Sequence, residues 1–136
     1  MNDLKENMKY LKDISILYVE DNEDIRNEIT YTLESKVKKL FVACDGKEGL
    51  SLFRSSTPDL IITDISMPHM DGIEMSQCIR EENTNVPIVI ISAYNDSTYQ
   101  LNAKKAEVSE FLTKPLDLIK LYITIGKLAK NIILKN

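Results

Sequence analysis

The sequence is poor in the residues that build metal and redox centres. His69 is its only histidine, so no histidine cluster can form, and a tight Pro-His-Met turn suits a solvated loop residue. Its two cysteines, Cys44 and Cys78, lie 34 residues apart and form no C-x-x-C unit. They are expected to be buried thiols in a reducing cytoplasm. No apolar run approaches the ~18–20 residues of a membrane span. Clustered lysine and arginine are missing too: the net charge is −4, which argues against nonspecific nucleic-acid binding. Residues 1–13 alternate charged and apolar residues, which is wrong for a secretory signal. There is no internal repeat and no low-complexity tract. What remains is 136 residues, 43% apolar and 28% charged, the balance of one globular domain. A chain this long buries roughly two-thirds of its unfolded surface and needs no staples.

Four β-branched apolar runs stand out, Ile14–Val19, Leu40–Ala43, Leu60–Thr63 and Val86–Ile91, with a weaker fifth at Glu110–Thr113. They are near-continuous rather than alternating, the mark of strands covered on both faces. Between them lie segments with helical spacing, such as Ile25, Ile29 and Leu33, or Leu50 and Phe53 after an Asp45-x-x-Glu48 pair that can form a capping box. A polar stretch from Asp96 to Glu107 is the least apolar of these, and Leu116–Leu134 is the longest. Strand and helix alternate five times, which predicts an α/β, flavodoxin-like, doubly wound five-stranded parallel sheet. The expected strand order is 2-1-3-4-5, with helices on both faces. Residues 1–13 read as a leader, a short helix suggested by Leu4, Met8 and Leu11. The domain proper then runs 14–136, with its core at about 14–128 and its last helix reaching about residue 134.

In such a sheet ligands bind outside the carboxyl ends of the strands, near the reversal of strand order. The first strand there ends in Glu20-Asp21, the third in Asp64, the fourth in Ser92 and the fifth in Lys114-Pro115. Three carboxylates on one rim repel unless a cation joins them. An all-oxygen donor set without His or Cys suits Mg²⁺, with Mn²⁺ as the alternative. Asp64 can then act as a nucleophile and form an acyl phosphate. The cation, the Lys114 ammonium and the Ser92 hydroxyl would each meet one phosphoryl oxygen.

These residues carry a resemblance. Tyr18-Val19-Glu20-Asp21-Asn22, Pro58 to Asp64, Met67-Pro68-His69-Met70-Asp71-Gly72, Ser92-Ala93 and Phe111-Leu112-Thr113-Lys114-Pro115 occur in order and at family-like intervals. Over roughly residues 14–128 the chain resembles the receiver domain of two-component response regulators, in particular the single-domain chemotaxis type. The resemblance implies Asp64 as phosphoacceptor, Asp21 as a direct metal ligand, and Glu20 as a ligand directly or through water. It implies the Ser66 backbone carbonyl as a further ligand, Ser92 and Phe111 as a switch pair, and Lys114 as the phosphate contact. It also implies a cis Lys114–Pro115 bond, and a place for Tyr94 either in setting phosphoryl lifetime or as an exposed loop aromatic. The implied activity is acceptance of a phosphoryl group from a histidine kinase or phosphotransfer protein in the cytoplasm, with slow self-hydrolysis, rather than turnover of an external substrate. Output would leave through the face of the fourth core helix, fifth strand and last helix, with homodimerisation as one route and neither nucleic acid nor membrane as a direct target.

Two rival chemistries on the same sheet fail. A flavin carrier needs a Gly/Ser/Thr-rich phosphate loop after the first strand, whereas Glu20-Asp21-Asn22-Glu23-Asp24 repels a phosphate. A haloacid-type phosphatase wants an aspartate where Ser66 stands. A binding module of this fold that is never phosphorylated stays open. The chain departs from the family at Val108-Ser109, where Gly-Ala is usual. Valine resists positive φ, so the fourth core helix is expected to end differently and to be the most mobile. A last helix over Leu116–Leu134 would span ~28 Å. It would leave Ile132-Ile133-Leu134 little cover, for self-association or a connector, unless the tail lies on the leader.

Overall fold

In a computed structural model describing residues 2–93 and 97–135, every β-strand grows from one of the apolar runs. The strands are β1 (Ser15–Val19), β2 (Lys39–Ala43), β3 (Leu60–Asp64), β4 (Ile88–Ser92) and β5 (Glu110–Thr113). The helices are α1 (Asn2–Met8), α2 (Glu23–Glu34), α3 (Gly46–Ser56), α4 (Gly72–Glu82), α5 (Ser97–Lys105) and α6 (Leu118–Lys135), with a short 3-10 turn at Leu11–Asp13. The sheet is parallel throughout, in the order β2-β1-β3-β4-β5, as the alternation of strand and helix predicts. The fourth strand starts at Ile88 rather than Val86, because Pro87 has no N–H to give. β3 and β4 each run one residue past their apolar stretch, so Asp64 and Ser92 are the last residues of strands.

The apolar runs are continuous because both faces of the sheet are covered. Leu17, Val19, Ile61, Ile88 and Ile90 pack with Phe53, Met75, Ile79 and Ala103 from α3, α4 and α5. Their strand neighbours Ile16, Tyr18, Leu60, Ile62 and Val89 point to the other face, where Ile29, Leu33, Leu121, Ile125 and Ala129 of α2 and α6 lie. Full burial of each such side chain contributes roughly 1.5–3 kcal/mol.

The caps show where the sequence pattern held and where it slipped. Asp45 Oδ1 accepts from Glu48 N at 2.8 Å, but Glu48 Oε1 takes the N–H of Cys44 at 2.7 Å, not that of Asp45. The full capping box lies instead at α4, between Asp71 and Glu74. The cysteines differ from expectation: Cys44 is exposed and Cys78 half-buried, since neither falls on a fully covered position. α5 ends at Lys105, three residues before Val108. Glu107 takes the left-handed conformation at φ 56°, its N–H donates to Lys104 O at 3.0 Å, and Val108 N donates to Ala103 O at 3.2 Å. This pair of bonds is a Schellman cap, so the valine escapes positive φ and packs against the core instead. Arg80 holds the strained turn, donating through Nε and a terminal nitrogen to Glu107 O at 3.1 and 2.9 Å.

The C-terminal helix also has more cover than its length suggests. α1 lies along α6, close enough that a Cβ at Gly126 would stand 3.1 Å from Asn7 Cβ. Ile132 and Ile133 pack half-buried against the α2–α6 side of the core, which leaves Leu134 as the exposed apolar end.

Candidate functional site

At the carboxyl ends of β1 and β3 three acidic side chains converge. Glu20 follows β1, its N–H bonded to Ala43 O at 3.1 Å, and its side chain is buried. Asp21 follows, exposed on the rim. Asn22 caps α2 by accepting from Ile25 N at 3.0 Å, and its own N–H donates to Glu20 Oε2 at 3.1 Å. Arg26, one turn into the helix, reaches back to the carbonyls of Glu20 at 2.9 Å and Asp21 at 3.3 Å. The acidic loop is thus pinned from both sides.

Asp64 is buried at the end of β3. Its Oδ1 accepts from Ile65 N at 2.8 Å, and its Oδ2 lies 3.2 Å from Lys114 Nζ. The start of α4 presses on this turn. Gly72 N donates to Ile65 O at 2.9 Å, and a Cβ at Gly72 would stand 2.0 Å from Asp64 O. Only glycine allows that approach.

One carboxylate oxygen from each of Glu20, Asp21 and Asp64 falls within 4.8 Å of the others. Lys114 Nζ stands 3.2 Å from Asp64 and 3.8 Å from Glu20, which offsets part of the repulsion. Burial, with the Asp64 charge adding to it, pushes the Glu20 carboxyl up to about 7, against the opposing pull of the Asn22 N–H and the Lys114 ammonium. Burial likewise raises the Tyr18 phenol behind the site, helped by the Glu20 and Asp64 charges. A carboxylate cluster that one lysine compensates incompletely, with oxygen donors only, fits a hard divalent cation of the Mg²⁺ kind.

The other anticipated residues sit around this centre. Ser92 is buried at the end of β4, and its carbonyl accepts from Lys114 N at 2.8 Å, which ties β4 to the lysine. The Lys114–Pro115 bond is cis. Phe111 is half-buried on β5 and packs toward α3, α4 and α5. Ser66 is exposed on the loop two residues past Asp64. Exposed His69 occupies the same loop at φ 71°. Tyr94 lies outside the described residues. The structure therefore gathers Glu20, Asp21, Asp64 and Lys114 directly and aligns Ser92 beside them through the strands. Arg26 was missed from sequence, because an arginine four residues past a helix cap has no signature of its own.

A family model for the response regulator receiver domain matches residues 16–125, most of the chain. The chain belongs to the response regulator receiver domain family. Among solved structures, it resembles the N-terminal domain of a protein from Wolinella succinogenes at 32% identity and a TM-score of 0.86, covering 90% of this chain and 99% of that one. It also resembles the receiver domain of the Francisella response regulator 1452, at 31% identity and a TM-score of 0.79, over 87% of this chain and 98% of that one. The transcriptional regulatory protein CseB of Streptomyces avermitilis is 34% identical over 102 residues, which is 75% of this chain but 43% of that protein. Curated relatives of this sort are therefore more than twice as long as the stretch they share. Receiver domains of two-component systems interact with histidine kinases or phosphotransfer proteins, and bind Mg²⁺ through acidic residues. Among the described residues of this receiver domain, no helix is long and apolar enough to cross a membrane.

Proposed function

We propose that this receiver domain takes a phosphoryl group from a phosphohistidine of a histidine kinase or phosphotransfer protein onto Asp64. The observation that carries this reading is the Asp64 carboxylate, buried and 3.2 Å from Lys114 within a three-carboxylate cluster. In the transfer, a carboxylate oxygen of Asp64 forms the new O–P bond. The P–N bond breaks, and its electron pair returns to the histidine ring. Lys114 neutralises one phosphoryl oxygen and the Ser92 hydroxyl donates to another. Glu20, Asp21, Asp64 and the Ser66 carbonyl would hold Mg²⁺, or Mn²⁺ in its place, Glu20 directly or through water. The cation supplies charge neutralisation at the phosphoryl oxygens. Arg26 and Asn22 keep the acidic loop in place for this task.

Phosphorylation then draws the Ser92 hydroxyl inward and lets Phe111 follow, a population shift that needs only a few kcal/mol of differential contact. Phenylalanine gains no hydrogen bond at either end of that swing, so its two states differ in burial. The change reaches a partner through α5, β5 and α6. The domain works in the cytoplasm, on itself rather than on an external substrate, with homodimerisation as one form of output and no direct contact with nucleic acid or membrane. Beryllofluoride with Mg²⁺, followed by backbone amide NMR, tests the reading. Shifts around residues 64, 92 and 111 in the wild type, absent in Asp64→Asn, support it. A wild type that does not respond is a binding module that never carries phosphate.

A further inference from the structure

Among the described residues β5 is an edge strand, paired with β4 alone, so one side of its backbone has no strand partner there. The opposite edge, β2, is guarded: Lys39 lies over the Phe41 ring with 5.9 Å between its Nζ and the ring centroid, a lysine defence against strand pairing. β5 is bordered differently. Toward α5 runs a groove of about 380 Å³ lined by Ala103, Lys104, Val108 and Phe111. Toward α6 runs another of about 230 Å³, lined by Leu112, Leu116, Asp117 and Lys120. Both include Phe111 and Thr113, so they meet along the strand. An added strand points alternate side chains to opposite faces of a sheet, and here each face offers a groove to receive them.

The chemistry of the border narrows the occupant. Lys104, Lys105, Lys120 and Lys127 are exposed, and Lys130 half-exposed, on the two flanking helices, against Glu107, Glu110 and Asp117. This is an excess of positive charge on a chain whose net charge is −4. A second copy would bring the same lysines together, whereas an acidic segment would neutralise them. Leu101, 53% exposed, lies one helical turn before Lys104 and Lys105, and Ile119, 60% exposed, adjoins Lys120. These leave apolar contacts at the rim for a partner that is not purely charged.

We propose that the open edge of β5 takes up an extended, acidic segment of the output partner as a sixth strand, its apolar side chains in the two grooves and its carboxylates against Lys104, Lys105 and Lys120. This rests on α5, β5 and α6 being the output face. The probe is a fluorescent synthetic peptide that alternates Glu/Asp with Val/Ile, added to the whole chain with and without beryllofluoride and Mg²⁺. The expected result is saturable binding with new hydrogen-exchange protection of the amides of residues 110–113. Binding should weaken about tenfold or more in Lys104→Glu/Lys105→Glu, and equally with a peptide carrying proline at alternate positions, which cannot complete a ladder. Equal binding of the proline peptide, or a peptide that turns helical when bound, overturns strand addition. Absence of peptide binding overturns the proposal, whether the chain sediments as a monomer or as a dimer with β5 protected; the dimer would make a second copy the occupant. Acetyl phosphate labelling of the same proteins reads the Asp64 chemistry separately, because neither lysine belongs to the phosphoryl site.

Discussion

Replacing Glu20 by glutamine should stabilise the metal-free domain at pH 8 and leave it nearly unchanged at pH 4.5. The Glu20 carboxyl is held at about 7 against an ordinary value of 4.5. In the unfolded chain it ionises near 4.5; in the native protein it keeps its proton until about 7. Between those values the native state binds the proton that the unfolded state has lost, so wild-type stability falls as pH rises through this window and levels off above it. The full penalty for the ionised native form is on the order of 3 kcal/mol. Glutamine cannot ionise and escapes it. The variant keeps an acceptor for the Asn22 N–H, now 3.1 Å from Oε2. The Lys114 attraction across 3.8 Å already works against the rise to about 7, so nothing further is subtracted for its loss. The net gain at pH 8 is then on the order of 3 kcal/mol, or roughly 10 °C in Tm for a domain of this size. Urea unfolding in EDTA at the two pH values measures it. Below 4.5 both forms are neutral in both states, so the difference should vanish. A variant less stable than wild type at pH 8, or a difference that ignores pH, would refute burial and like charge as the source of the Glu20 shift. Millimolar Mg²⁺ should narrow the gap, because a ligand that binds only the native state stabilises the protein with the intact site more.

Three further outcomes follow from the same geometry. Isothermal titration with Mg²⁺ should show a larger affinity loss for Asp21→Ala than for Glu20→Ala, since outer-sphere losses run ~10–100-fold and a direct ligand costs more; equal losses would refute the ranking. Glu107→Gly should raise the unfolding free energy by up to about 1 kcal/mol, seen as a higher urea midpoint at unchanged m, because glycine takes the left-handed turn at φ 56° without strain; a lower midpoint would mean that Glu107 is not strained there. Crystals with and without beryllofluoride should differ in the Ser92 and Phe111 rotamers, and identical rotamers would remove the switch.

Most of this structure was legible because the sequence carries strong, local signals. Apolar runs such as Leu60–Thr63 need no alternation when both sheet faces are covered, and the strand order follows from right-handed crossovers. The site was legible because topology brings strand ends together: Glu20 and Asp64 are far from Lys114 in sequence and within 4 Å of its Nζ in space. What could not be read depends on which of several neighbours takes a local strain. The departure at Val108-Ser109 announced an altered helix end, yet nothing marked Glu107 as the residue to adopt positive φ, nor Arg80 as its clamp. The half-formed cap at Asp45 turns on a choice by Glu48 between two adjacent N–H groups, which residue type alone does not decide. The cover on Ile132 and Ile133 depends on how α1 and α6 pack at Asn7 and Gly126, a contact between the two ends of the chain.

The central claim is that Asp64 accepts the phosphoryl group. Intact-mass spectrometry after incubation with acetyl phosphate and Mg²⁺ tests it most directly. The wild type should gain ~80 Da as one acid-labile phosphoryl group, and Asp64→Asn should gain nothing. An Asp64→Asn protein that still gains that mass would place the acceptor elsewhere and contradict the account.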